Sequence, residues 1–332
     1  MPSLDFNLPE LHGVLASGVG GVLFLGTAPA PGDLGAIVGR ANATSPAGVG
    51  LLLMADEEGG GIQRLRPVVQ NVPWPRDMTT SMTPDQVSSL AARVGAEMRA
   101  AGVNVDLAPV LDVDSGVGPD ASDPDGRRSF SGTATTAAAY GLAFSAGLRT
   151  AGVVPVAKHF PGLGGSSGNT DNGPASTQPI SDLRATGLQP FRAAIAGGAP
   201  AVMVANASVP GLTTRPASVS SAVIQALLRN ELGFRGLVMT DSLSAGAMRA
   251  AGYDVPGATV AAVEAGADMV LFGSTLTPAD TAQLDPRAVA ATTAAIARAV
   301  TAAVDGGRLP VARLREAAGR VLALRGAALC GR

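Results

Sequence analysis

Several things are scarce in this chain, and each scarcity removes a class of protein. One residue of 332 is cysteine, Cys330, so the chain cannot staple itself with an internal disulfide. The two histidines, His12 and His159, lie far apart in sequence, and with one cysteine they offer no metal cluster of the usual ligands. Aromatic residues make up 3% of the chain and Trp74 is its only tryptophan, so a long groove of stacking rings is not expected. Charged residues amount to 15% with a net charge of −2 and no run of one sign. Nucleic acid and anionic membrane are therefore not expected as partners. No apolar run reaches the roughly 18 residues that span a bilayer. The opening Met1-Pro2-Ser3-Leu4-Asp5 has neither the basic nor the apolar region of a signal peptide. Together these features predict a cytoplasmic protein.

Lysine is almost absent as well. Lys158 is the only lysine among 24 basic residues. A coding bias toward arginine and alanine produces such a skew. A lysine standing against it marks a position that needs a compact ammonium rather than a planar guanidinium, unless it is there by chance.

What is abundant points to the architecture. The chain is 46% hydrophobic and carries 43 glycines and 24 prolines, which suits a large core punctuated by tight turns. Apolar runs of strand length fall at 19–26, 49–56, 103–110, 153–160, 201–208, 237–241 and 267–273. They are rich in Val and Leu without polar alternation, as parallel strands buried on both faces are. Helical patterns separate them at 83–101, 135–151, 181–196, 218–232 and 255–265, and two more close the chain at 280–304 and 311–325. Thr83-Pro84-Asp85-Gln86 and Ser181-Asp182 have the composition of helix N-terminal caps. Strand and helix alternate with no linker or composition break, so residues 1–332 are expected to form a single α/β domain. A doubly wound sheet is the competitor. No Gly-x-Gly-x-x-Gly follows the first strand, so no dinucleotide cofactor is expected.

In a parallel barrel the reactive groups sit at the C-terminal ends of strands. Those places read Asp56-Glu57-Glu58-Gly59-Gly60, Asp106 to Asp112, Lys158-His159-Phe160-Pro161-Gly162, Asn206, and Thr240-Asp241-Ser242. Polar residues ending apolar strands are costly unless paired or used. Each alone has a capping or loop-ordering reading. As a set they are candidates for a site. The glycine-dense loop from Pro161 to Pro174 is longer than the roughly 2–6 residues usual after a barrel strand, which suits a lid better than a plain connector.

These residues resemble glycoside hydrolase family 3, in particular its single-domain β-N-acetylhexosaminidases. The match runs from about Val19 to Arg325. It rests on Asp56-Glu57-Glu58-Gly59-Gly60 with Arg64, Asp106-Leu107-Ala108-Pro109-Val110-Leu111-Asp112-Val113, Arg128-Ser129-Phe130, Lys158-His159-Phe160-Pro161-Gly162 and Thr240-Asp241-Ser242-Leu243. The resemblance implies a TIM-like (β/α)8 barrel and a retaining mechanism with Asp241 as the nucleophile. It also implies that Asp56, Arg64, Arg128, Lys158 and His159 bind the sugar hydroxyls, with Asn206 on the next strand beside them. The substrate implied is a small N-acetylglucosaminide such as a cell-wall fragment, with no cofactor.

Two departures from the family pattern stand out. The loop that in the family reads Lys-His-Phe-Pro-Gly-His-Gly and then Asp-Ser-His has Leu163 at the first histidine and Asn169-Thr170-Asp171 at the end. The family's strand ending Ala-His reads Ala205-Asn206 here. Asp171 then stands where the family's acid/base imidazole is. An Asp has a reference pKa of about 3.9, so donating a proton near neutrality needs a raised value. The alternatives are a sugar-binding protein and a transglycosidase or other tailoring enzyme. The second departure is at the start. Seven strands are legible, and Met1 to Leu11 is too short for the family's first helix and strand, so the barrel is expected to lack its first strand. Its open edge would be covered by the N-terminal segment, the last helices or a second subunit, unless the start is misassigned.

Overall fold

A computed structural model of the protein describes residues 1–5, 14, 18–26, 28–43, 50–273 and 286–330. Eight parallel strands follow one another around a barrel in strict chain order. They are β1 (Ser3–Asp5), β2 (Gly21–Leu25), β3 (Leu52–Ala55), β6 (Val105–Asp106), β7 (Val154–Phe160), β8 (Ala201–Val204), β9 (Leu237–Ser242) and β10 (Met269–Leu271). A two-stranded antiparallel hairpin, β4 (Glu57–Gly59) and β5 (Ile62–Gln63), follows β3 directly.

The expected missing strand is present, which corrects the sequence reading. Ser3–Asp5 pairs in parallel with β2 over Ser3↔Leu23, Leu4↔Phe24 and Asp5↔Leu25. On its other side Ser3 donates its backbone N–H to Phe272 at 2.8 Å, beside a Pro2↔Phe272 bridge that joins the first and last strands. Leu4 is the strand's only apolar residue, so the sequence contains no strand-length apolar run there. The stretch from residue 6 to 13, between β1 and the start of β2, lies outside the described residues.

Strand side chains alternate between two layers. Leu23 and Leu25, Leu52 and Met54, Val154 and Val156, Ala201 and Met203, and Leu237 and Met239 fill the barrel interior. Their neighbours Val22 and Phe24, and Leu51, Leu53 and Ala55, pack outward under the helices. Around the second half of the barrel, Val202, Val204 and Val238 do the same. Continuing the inward alternation toward the C-terminal end of each strand reaches Asp56 after Met54, Lys158 after Val156 and Asp241 after Met239. The polar residues at these tips continue the same face that builds the apolar interior.

The helices begin close to where the patterns place them. Pro84–Ala100 carries a capping box: the Thr83 hydroxyl accepts from Gln86 N–H at 3.3 Å, and the Gln86 side chain accepts from Thr83 N–H at 2.8 Å. The second expected cap does not form, because the helical segment opens at Ile180 after Pro179, with no side-chain cap. Helix Pro31–Ala43 forms without a clear sequence signal, since Gly32, Gly35 and Gly39 interrupt its pattern. The first residues of the expected 280–304 helix lie outside the described residues; the helix observed is Pro286–Asp305.

Candidate active site

The strand tips enclose a cavity of about 400 Å³ whose floor is Leu23, Leu25, Leu107, Met203 and Leu271, the top of the interior layer. Above this apolar floor stand Asp56, Arg64, Arg128, Lys158, His159, Asp171 and Asp241, all lining the cavity. Seven of the eight site residues named from the sequence therefore converge in space. Asn206 is not among the residues lining the cavity. It is buried beside the site, where its Nδ2 donates to the Ser242 carbonyl at 2.7 Å and its Oδ1 accepts from the Ser218 hydroxyl at 2.6 Å. The reason is alternation: Ala201 and Met203 face inward on β8, so position 206 falls on the outer layer. Asn206 ties down the segment that follows Asp241.

A chain of ion pairs crosses the barrel mouth. Lys158 Nζ lies 2.7 Å from Asp56 Oδ1 and 2.5 Å from Glu58 Oε1. Glu58 also receives Arg128 in a two-pronged grip, Nε at 2.8 Å and Nη2 at 2.9 Å. Arg128 Nη2 stands 3.4 Å from His159 Nε2, and His159 Nδ1 is 2.8 Å from Asp112 Oδ2. Burial drives the Glu58 carboxyl upward, but Arg128 and Lys158 outweigh it and hold the group well below the usual carboxylate range. Burial likewise works against the Lys158 ammonium, yet Asp56 and Glu58 raise its pKa above the ordinary lysine value. Both groups stay ionised, and their donors and acceptors are fixed before any ligand arrives.

Lys158 and His159 are sequence neighbours that both line the cavity. Pairing between β7 and β8 shifts register between Ala157 and Phe160, and the Lys158–His159 peptide is cis. Behind His159, Asp112 accepts from the backbone N–H of His159 at 3.0 Å and of Leu163 at 2.7 Å. Asp112, Asp125 and His159 bring one potential metal-ligand atom each within 4.8 Å of one another, a grouping that counting Cys and His did not anticipate. Here Asp112 is occupied by His159 and Leu163, and Arg128 Nη1 lies 3.7 Å from Asp125. The arrangement is a histidine–carboxylate pair backed by a second buried carboxyl. Burial, then repulsion from Asp112, pushes Asp125 well above its usual range.

The long loop after β7 folds over the cavity with Leu163, Asn169, Thr170 and Asp171 against it. It is anchored at both ends. Asp114 Oδ2 accepts from Gly165 N–H at 2.7 Å. At the far end Gly246 and Ala247 donate their N–H groups to the carbonyls of Asp171 and Thr170, each at 2.9 Å. A Cβ at position 246 would sit 2.7 Å from the backbone of Asp171 and Asn172, so only glycine lets the loop lie this close. These bonds bring the Asp171 segment onto the loop that follows Asp241. Asp241 Oδ1 accepts from Ser242 N–H at 2.7 Å.

In sequence Glu58 is one of three acidic residues in its motif, and the fold makes it the centre of the ion-pair chain. Trp74 also lines the cavity, lying over Gly60 with Arg127 5.5 Å from its ring.

Comparison with known proteins bears on the family and the fold. Residues 7–324 match the model described as Glycosyl hydrolase family 3 N terminal domain. Beta-hexosaminidase LpqI of Mycobacterium tuberculosis is 40% identical over 234 residues, which is 68% of this chain and 59% of the relative. Beta-hexosaminidase of Stenotrophomonas maltophilia is 37% identical over 246 residues, covering 72% of this chain and 70% of that one. The crystal structure of a beta-N-acetylhexosaminidase from Beutenbergia cavernae superimposes with a TM-score of 0.83 at 32% identity, over 98% of this chain and 96% of that one.

Proposed function

Since the chain belongs to glycosyl hydrolase family 3, we propose that it is a retaining β-N-acetylhexosaminidase acting on small N-acetylglucosaminides, with Asp241 as its nucleophile. The observation that carries the reading is that Asp241 and Asp171 share one cavity with Asp56, Arg64, Arg128, Lys158 and His159. The relatives named beta-hexosaminidase and beta-N-acetylhexosaminidase support the same reaction class. In this reading residues 1–332 act as one barrel domain that carries the whole site.

The chemistry follows from the placement. Charged donors and acceptors give strong, directional hydrogen bonds to sugar hydroxyls, and the ion-pair chain from Asp56 to His159 offers them on one side of the cavity. The Asp241 carboxylate attacks the anomeric carbon as the glycosidic bond breaks, and the leaving oxygen takes the proton of the Asp171 carboxyl. The product is a glycosyl ester on Asp241. Asp171, now a carboxylate, removes a proton from water, which attacks the same carbon and frees Asp241 with net retention. Incubation with a 2-deoxy-2-fluoro or N-acetyl fluorosugar, followed by mass spectrometry, tests this. An adduct on the peptide containing Asp241 is expected. An unlabelled protein that also leaves nitrophenyl glycosides intact sinks the reading.

A second reading has its own support. The loop carries Leu163 and Asn169-Thr170-Asp171, with no imidazole, and His159, the one histidine lining the cavity among the described residues, is turned to Asp112 through Nδ1. Weak proton assistance suits a sugar binder or a transglycosidase. Calorimetric sugar binding without turnover, or transfer to an added alcohol in preference to water, supports that reading.

A further inference from the structure

Between the cavity residues Asp56 and Glu58 lies a carboxyl that does not line the cavity. Glu57 is fully buried. One of its oxygens accepts from the backbone N–H of Leu65 and the other from Gln63 Nε2 at 3.1 Å. Gln63 is itself committed, with Nε2 donating to the Gln70 carbonyl at 3.1 Å and Oε1 accepting from Val72 N–H at 3.0 Å. The residue between these two holding points is Arg64. Its backbone N–H donates to the Asp56 carbonyl at 3.2 Å and its carbonyl accepts from Ala28 at 2.8 Å, while its side chain reaches the cavity. The Arg64 Nε is buried without a hydrogen-bond partner. The guanidinium is thus not tethered through that atom, whereas the chain on both sides of it is gripped by one carboxylate.

We propose that Glu57 is the positioning residue for Arg64, its carboxylate setting where that guanidinium enters the cavity by holding Gln63 and Leu65 together. The inference rests on the sugar-binding reading of the cavity. A protonated carboxyl turns one of its two acceptors into a donor. Gln63 Nε2 and Leu65 N–H are both donors, so one of the two bonds is lost when Glu57 takes up a proton. The groups around Glu57 make that uptake accessible. Burial raises its pKa to about 7, the donors at Leu65, Gln63 and Arg64 oppose the rise, and the Asp56 charge adds to it. Asp106 accepts from Glu57 N–H at 3.0 Å and is itself raised well above its usual range by burial, with Lys158 acting against that rise. The grip is therefore strong above neutrality and weak below it.

The test uses the whole protein in two measurements. The Leu65 amide resonance of the ligand-free protein is followed by NMR from pH 5.5 to 8.5, and KM and kcat for a nitrophenyl N-acetylglucosaminide are measured over the same range. Expected are a Leu65 titration with a midpoint near 7 and a KM that rises roughly five- to tenfold from pH 8 to pH 6 while kcat changes less. In Glu57→Gln both dependences flatten. A Leu65 resonance that does not titrate, or a Glu57→Gln enzyme that keeps the wild-type KM profile, overturns the proposal. Since the titration is read on the wild-type protein, it decides even if the variant fails to fold. Absence of N-acetylglucosamine binding at every pH beside an intact Leu65 titration overturns the sugar-site reading and supports the Glu57 grip.

Discussion

Lys158 and Asp56 meet 2.7 Å apart across the barrel mouth, although 102 residues separate them in the chain. The contact joins β7 to the end of β3, and Glu58 ties the same ammonium to Arg128. It explains the solitary lysine. A compact ammonium fits between two carboxylates, whereas a planar guanidinium there would meet Arg128 already holding Glu58 in the same fashion.

Lys158→Met is therefore expected to leave Asp56 and Glu58 as excess buried negative charge. Removing one partner of such a pair costs about 3–5 kcal/mol. Urea unfolding checks the loss, and Lys158→Arg is expected not to restore sugar affinity. A Lys158→Arg protein with wild-type KM refutes this account of the lysine.

Asp171→Ala is expected to lower kcat about 10²–10⁴-fold on substrates with poor leaving groups, the usual worth of acid/base assistance. Azide should restore turnover in the variant and yield a β-glycosyl azide. Activity equal to wild type on alkyl glycosides would assign the proton transfer to another group.

Asn206→Ala tests the distinction between lining the site and supporting it. Two buried partners, the Ser242 carbonyl and the Ser218 hydroxyl, lose a bond, at a cost of about 1–3 kcal/mol. Equilibrium denaturation should register this, while sugar affinity measured by calorimetry falls far less than in Arg64→Ala. Equal losses of affinity in the two variants would return Asn206 to the sugar-binding set.

The two neighbouring glutamates are expected to pull stability in opposite directions with pH. Glu58 is depressed in the fold by Arg128 and Lys158 once burial is overcome, so its contribution is present above pH 4.5, the unfolded value, and fades as pH falls further. Glu57 is raised by burial to about 7, so the folded state holds its proton more tightly and stability falls as pH rises from 4.5 to 7. The Glu57 effect is on the order of 3 kcal/mol at most. Unfolding curves at pH 5 and pH 8 should show Glu57→Gln gaining on wild type at the higher pH. A constant difference between the two proteins argues against a titrating Glu57.

Gly246→Ala is expected to push the Asp171 segment off the loop after Asp241, because the new methyl would lie 2.7 Å from backbone atoms. Hydrogen exchange should quicken at the amides of positions 246 and 247, with kcat lowered more than KM. Unchanged exchange protection would show that the loop accommodates the methyl.

The barrel was legible because buried parallel strands are written as apolar runs, and all seven such runs became strands. β1 was not, since Ser3-Leu4-Asp5 carries its information in backbone pairing with β2 and Phe272 rather than in its side chains. The site was legible wherever a polar residue continues the inward alternation of a strand, as Asp56, Lys158 and Asp241 do. Asn206 also follows an apolar run, but it falls on the other face of the alternation, beside Ser218 and the Ser242 carbonyl. Glu57, Asp112 and Asp125 were beyond reach, for their roles depend on partners 8, 47 and 34 residues away that only the fold brings together.

The aliphatic floor of the cavity has one more consequence. Leu23, Leu107, Met203 and Leu271 form an apolar floor, so among the described residues the polar groups of the site face the mouth of the barrel. In the proposed mechanism the water that frees Asp241 arrives by the doorway through which the departing aglycone leaves. Any alcohol small enough to follow that aglycone back in competes with water for the ester, and the traffic at that mouth sets the ratio of cleavage to transfer.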